Sequence, residues 1–154
     1  MSTLIYIETR SEADVRVRRK WTREWWHLPH ADQRRVTSAV VVEELERIPD
    51  AARREAALAL VRPLEQLDYT DAVAEVVAVY LQHKLMPREA IGDADHLALA
   101  SLYACDMLVT WNCRHLANAN KAAHIRRVNA LLGLQTPLLV TPLELLNDED
   151  ENEA

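Results

Sequence analysis

Glycine is nearly missing from this chain: its 154 residues include two, Gly92 and Gly133. A phosphate cradle of the GxGxxG or P-loop kind needs several glycines close together, so both are excluded. Phenylalanine is absent, and four Trp and four Tyr supply the aromatic bulk. The two cysteines, Cys105 and Cys113, are too few for a disulfide framework, and no CxxC pair starts a zinc site. Free thiols in a reducing compartment are the simplest account. No uncharged apolar run reaches the roughly 18 residues of a membrane span. The first residues, MSTLIYIETR, carry no basic segment before an apolar stretch, so no secretory signal is expected and a cytoplasmic location is.

What is present is globular in composition, with 49% hydrophobic and 27% charged residues. That excludes a disordered or collagen-like chain. The length fits one domain with a real core. The net charge of −6 argues against a nucleic-acid binder taken alone, but the charge is uneven. Arg10, Arg16, Arg18, Arg19, Lys20, Arg23, Arg34 and Arg35 make the N-terminal third basic. Residues 147–154 (NDEDENEA) are acidic without a base and are expected to be a disordered tail. The sequence therefore divides into one domain over 1–146 and that tail, with no internal repeat or flexible linker.

The element order sets the fold class. Residues 3–8 (TLIYIE) read as a buried strand, and 11–28 as an irregular helix ended by Pro29. A short strand over 35–38 (RVTS) runs into a helix over 39–48, where Val41, Glu44, Leu45 and Ile48 share a stripe. Asp50 can cap an alanine-rich helix over 51–61. A strand is expected at 66–69, then a helix capped by Thr70 or Asp71 with Val73, Val76, Val77, Tyr80 and Leu81 on one face. A helix over 89–105, a strand over 107–110 (MLVT), a helix over 114–132 with Gly133 after it, a strand over 138–141 and a closing turn over 142–146 complete the chain. Apolar strands without alternation, separated by helices, predict an α/β domain with a parallel sheet covered on both faces.

In such sheets, sites lie at the carboxyl ends of the strands. Glu8 ends the first strand, Glu44 stands on the helix after RVTS, Asp93 opens the helix before MLVT, and Asn112 follows MLVT. If the strands pair as expected, three carboxylates and a carboxamide converge on one crevice. Clustered carboxylates repel and raise one another's pKa. A hard divalent cation relieves this, and oxygen-only donors favour Mg²⁺ or Mn²⁺ over zinc. Such an ion activates water and stabilises charge on a phosphoryl oxygen, which is the chemistry of phosphodiester hydrolysis.

These residues also carry a family resemblance. YIET at the start, Ser38 followed by Glu44, GDADHLALA (92–100) and LVTWNCRHLAN (108–118) occur in order. Over about residues 3–146 the chain resembles PIN-domain proteins of the VapC toxin type, in the subgroup with YIET and TWNxxH. The resemblance implies a three-layer α/β/α fold on a parallel sheet of about five strands. It implies a Mg²⁺- or Mn²⁺-dependent endoribonuclease acting on single-stranded or structured RNA and held inactive by a cognate antitoxin; a homodimer stays open. By position, the family's four site residues fall on Glu8, Glu44, Asp93 and Asn112, with Glu8, Glu44 and Asp93 as metal ligands. Glu8 and Asn112 stand where most members carry Asp, and Asn112 offers a carbonyl oxygen without charge. The alternative is therefore a PIN-fold binding or interaction module with impaired catalysis.

Other polar residues have plainer readings. Asp95 lies about 200° around the helix from Asp93 and is expected at the surface or in a salt bridge. His96 is expected to be a hydrogen-bonded structural histidine. His115 and Asn118 suit capping or packing, and Asn112 equally suits capping the next helix or a metal contact. Trp21, Trp25 and Trp26 suit core or dimer packing rather than base stacking. Residues 16–20 suit a solvated helix face rather than a phosphate patch. Cys105 and Cys113 are expected to be inert buried thiols.

Overall fold

A computed structural model describes residues 2–5, 12–29 and 32–152, with 2–5, 12–15 and 148–152 described by their backbone alone. The strands are β1 (Ser2–Ile5), β2 (Arg34–Ser38), β3 (Glu65–Leu67), β4 (Met107–Val109) and β5 (Leu138–Val140). All pair in parallel, in the order β3-β2-β1-β4-β5. The chain builds outward from β1 to β3, then returns to place β4 on the other side of β1. The order reverses between β1 and β4, and such a switch point opens a crevice at the carboxyl ends. The α/β class expected from the sequence is what the structure has.

The seven α-helices of the described residues are α1 (Glu12–His27), α2 (Ala39–Glu46), α3 (Ala51–Val61), α4 (Asp71–Gln82), α5 (Ile91–Leu102), α6 (Ala119–Leu131) and α7 (Pro142–Asn152). They cover both faces of the sheet, which β4 makes plain. Successive strand residues point to opposite faces. Leu108 joins the large cluster with Val41, Val77, Leu97 and Ile125, from α2, α4, α5 and α6. Its neighbours Met107 and Val109 join Trp25 and Val140, with Leu145 and Leu146 of α7 packed against them. A strand buried on both faces has no polar side to show, which is why MLV does not alternate.

The few glycines shape how helices end. Three helices close with the paired bonds of a Schellman turn, whose C′ residue needs a positive φ. After α6 that residue is Gly133, at φ 68, with Leu134 N–H donating to the Asn129 carbonyl at 2.8 Å. After α4 and α5 it is Lys84 (φ 55) and Ala104 (φ 51). There Leu85 donates to Tyr80 at 3.0 Å and Cys105 to Ala100 at 2.8 Å. Between these helices lies a satisfied buried polar knot. Asn129 accepts from the Tyr80 hydroxyl and donates to Ser101 and Thr136, both at 3.0 Å.

Several boundaries differ from those expected. β3 spans Glu65–Leu67 rather than 66–69. The helix expected over 89–105 is a 3-10 turn (Arg88–Ala90) followed by α5, which the Ala104 turn stops. The helix expected from 114 begins at Ala119. Asn112 first caps a single turn, accepting from Arg114 N–H (3.1 Å) and His115 N–H (2.9 Å). Asn118, with extended backbone, then breaks the chain and caps α6 through Asn120 N–H at 3.0 Å. At the carboxyl end α7 runs to Asn152, through most of the stretch expected to be a disordered tail. Glu144 accepts from Thr141 N–H at 2.7 Å and Thr141 accepts from Glu144 N–H at 3.3 Å. This reciprocal cap supplies the costly first turn, after which each added residue is cheap.

Candidate active site

α2 is joined to its strand without a loop. Ser38 ends β2, is fully buried, and accepts from Val41 N–H at 3.3 Å as the N-cap. That direct junction fixes the helix against the sheet and turns Glu44 inward, beside the buried Val41 and Leu45. α5 approaches from the other side. Its first turn carries Gly92 and Asp93, and an alanine-rich face packs into the core. The two helices meet closely: a Cβ built on Gly92 would lie 2.8 Å from Glu44 Oε1. Glycine stands there because a side chain would occupy the place of the Glu44 carboxylate.

Between them opens a cavity of about 930 Å³. Glu44 and Asp93 both line it, together with Glu43, Arg47, Tyr69, Glu89, Asp95, Arg114 and His115. Asp93 is buried, while the Glu44 side chain keeps 27% of its surface. His96, one turn into α5 and wholly buried, reaches Glu44 with Nε2 to Oε1 at 3.2 Å. An ionised carboxylate only accepts, so this bond places the proton on Nε2. The structural role expected of His96 is thus tied to one site carboxylate.

Asp95, half-exposed as a surface residue, lines the same cavity as Asp93. The cavity wraps the amino-terminal end of α5, so it meets more than one face of that helix. Asp95 accepts from the Tyr69 hydroxyl at 2.7 Å. Burial raises its pKa above the usual carboxylate value and the Glu44 charge adds to this, while the Tyr69 bond and His96 work against it. Glu43 also lines the wall, although the stripe singled out Glu44. Nothing in the local pattern of Tyr69, Arg47 or Arg114 marked them, because loops and chain reversals bring them in.

Asn112 is 4% exposed, and its side-chain oxygen already accepts the two backbone N–H groups of the turn. It does not line the cavity. Of its two readings, the geometry displays the cap. His115 does line the cavity, and its Nδ1 lies 3.4 Å from Lys121 Nζ, which also donates to the Leu85 carbonyl. Glu8 lies outside the described residues. Among the described residues, no three His, Cys, Asp or Glu side chains gather closely enough to hold an ion. What is present is two carboxylates, Glu44 and Asp93, on the wall of one acidic cavity, and Mg²⁺ ordinarily uses only one or two protein carboxylates. The donor chemistry fits such an ion.

Elsewhere the tryptophans pack, as expected. Trp25 is fully buried, Trp21 stacks on Trp111 at 5.9 Å, and Trp111 donates to Thr22 at 2.8 Å. Arg35 lies over both Trp25 and Trp26. Of the two thiols, Cys105 is buried but Cys113 is exposed, a correction that follows from its place in the surface turn after Asn112. Among the described residues no helix is long and apolar enough to cross a membrane.

No family model, curated protein or solved structure matches the chain. The fold and site define an α/β protein with an acidic cavity at the carboxyl side of a parallel sheet.

Proposed function

We propose that this chain is a metal-dependent endoribonuclease of PIN type, built on the three-layer arrangement that its motifs imply, and the VapC-like toxin of a toxin–antitoxin pair. The observation that carries the reading is the convergence of Glu44 and Asp93, forty-nine residues apart, on one cavity. Glu44, Asp93 and, by resemblance, Glu8 would hold Mg²⁺ or Mn²⁺. When bound, such an ion supplies positive charge at the phosphate and lowers the pKa of water. The chain's own residues prepare the place. His96 fixes the orientation of the Glu44 carboxylate. Arg47 and Arg114 on the wall offer guanidinium donors for phosphate oxygens of an RNA backbone. The test is Mn²⁺-dependent cleavage of single-stranded RNA by the wild type and by Asp93→Asn. Loss of cleavage in the variant is expected; equal activity would refute the assignment.

One observation favours a second reading, a binding module without catalysis: the Asn112 oxygen is already committed to two backbone donors. For that reading, calorimetry would register no Mg²⁺ or Mn²⁺ binding at millimolar concentration. The partners remain those of the resemblance: RNA, a cognate antitoxin and a second copy of the chain.

A further inference from the structure

Charged and apolar residues share the cavity wall, and two large apolar side chains stand exposed on it: Tyr69 at 43% and Ile91 at 51% of their surface. Tyr69 is also tethered. Its hydroxyl donates to Asp95 at 2.7 Å, and the carbonyl of the preceding residue, Asp68, accepts from the Tyr103 hydroxyl at 2.8 Å. One residue further on, Thr70 opens α4. The loop is thus tied to α5 through Asp95 and to its carboxyl end through Tyr103. With its one polar atom satisfied inside the protein, the ring has only apolar surface left to offer. Burial and the bond to Asp95 push the phenol up to about 12, so it stays a donor at neutral pH.

An exposed aromatic ring and two guanidinium groups on the wall of one cavity match the two halves of a nucleotide. The ring suits the face of a base, and Arg47 and Arg114 suit the phosphates. We propose that Tyr69 is a base-stacking platform that makes the cavity selective for unpaired RNA, an inference that rests on the ribonuclease reading above. In a duplex both faces of each base are covered by neighbours, so no face is free to stack. In a single strand a base can swing out onto Tyr69, with Ile91 as an apolar flank. Because the ring is held before binding, little ordering cost falls on the protein side.

The test is fluorescence anisotropy with a short, unstructured, fluorescein-labelled RNA, alone and annealed to its complement. Ca²⁺ replaces Mg²⁺ as the oxygen-seeking ion that neutralises the acidic wall. The wild type is expected to bind the single strand more tightly than the duplex. Tyr69→Leu is expected to weaken single-strand binding by about tenfold, while Tyr69→Trp, whose larger aromatic face offsets the lost bond to Asp95, binds about as well as the wild type. Tyr69→Phe, which keeps the ring and loses the pin, should weaken binding by about two- to threefold. Circular dichroism melts verify that each variant is folded. If Tyr69→Leu and Tyr69→Trp both bind as the wild type does, or the duplex binds as tightly as the single strand, the platform is refuted. RNA cleavage abolished by Asp93→Asn would then leave the nuclease reading standing. A folded wild type that binds no RNA overturns both.

Discussion

Gly92 carries a consequence for the site that can be measured apart from stability. A methyl group at that position meets Glu44 Oε1 at 2.8 Å, and the carboxylate is the partner that must move, taking its bond to His96 with it. In the helix itself alanine is favoured over glycine by about 0.8–1.0 kcal/mol. On the proposed ribonuclease reading, Gly92→Ala is therefore expected to lower RNA cleavage by roughly ten- to a hundredfold, with a denaturation midpoint at or above that of the wild type. A variant as active as the wild type would mean that Glu44 has no fixed working position. At this scale the sequence was legible where a side chain lies on a regular helix. Glu44 shares its stripe with Val41 and Ile48, and Asp93 opens an alanine-rich helix, so both could be placed. Tyr69, Arg47 and Arg114 could not, since loop ends and cap positions have no period. Asp95, expected at the surface, is half-exposed there, but helical angle alone does not show that the cavity wraps the helix end.

At the scale of elements, helix termini decide what pattern leaves undetermined. Periodicity cannot show that Asn112 caps one isolated turn and Asn118 starts a second helix, because both positions lie within one continuous polar-apolar pattern. Asn112→Ala is expected to cost about 1 kcal/mol of stability by removing the cap, whereas Asn112→Asp, which keeps the acceptor, retains most of it. Urea denaturation separates the two. An Asn112→Ala variant of full stability would contradict the capping role. The left-handed residues after α4 and α5 give an opposite expectation. Ala104 holds φ 51, a conformation that disfavours a Cβ by about 1–2 kcal/mol. Ala104→Gly removes that strain, while the greater freedom of the unfolded chain takes back about 0.4–1 kcal/mol. A net gain of up to about 1 kcal/mol is expected, and a loss would show that the Ala104 side chain makes contacts of its own.

For the molecule as a whole, the alternation of apolar strands and helices was enough to fix the α/β class, because a strand buried on both faces must lack alternation. Less legible was the end of the chain, where the reciprocal Thr141–Glu144 cap carries helix into an acidic stretch whose composition alone suggested disorder. The buried core also sets the response to alkali. Burial, helped by the charge of Asp106, pushes the Cys105 thiol from 9.0 up to about 11. Burial likewise pushes the Tyr80 phenol from 10.0 up to about 12. In the unfolded chain both groups lose their protons earlier, so above pH 9 the folded state binds more protons than the unfolded one and stability falls as pH rises. The thermal midpoint is expected to drop through the window from 9 to 12. Cys105→Ala should remove most of the drop between 9 and 10 and lessen it between 10 and 11, where Tyr80 also contributes. An unchanged slope in this variant would contradict the assignment to Cys105.

The most direct measurement of the central claim is a crystal soaked in Mn²⁺, with diffraction collected at the manganese absorption edge. An anomalous peak in the cavity within bonding distance of Glu44 and Asp93, lost in Asp93→Asn, is expected. A cavity without a peak at millimolar Mn²⁺, or an ion bound away from both carboxylates, would contradict it.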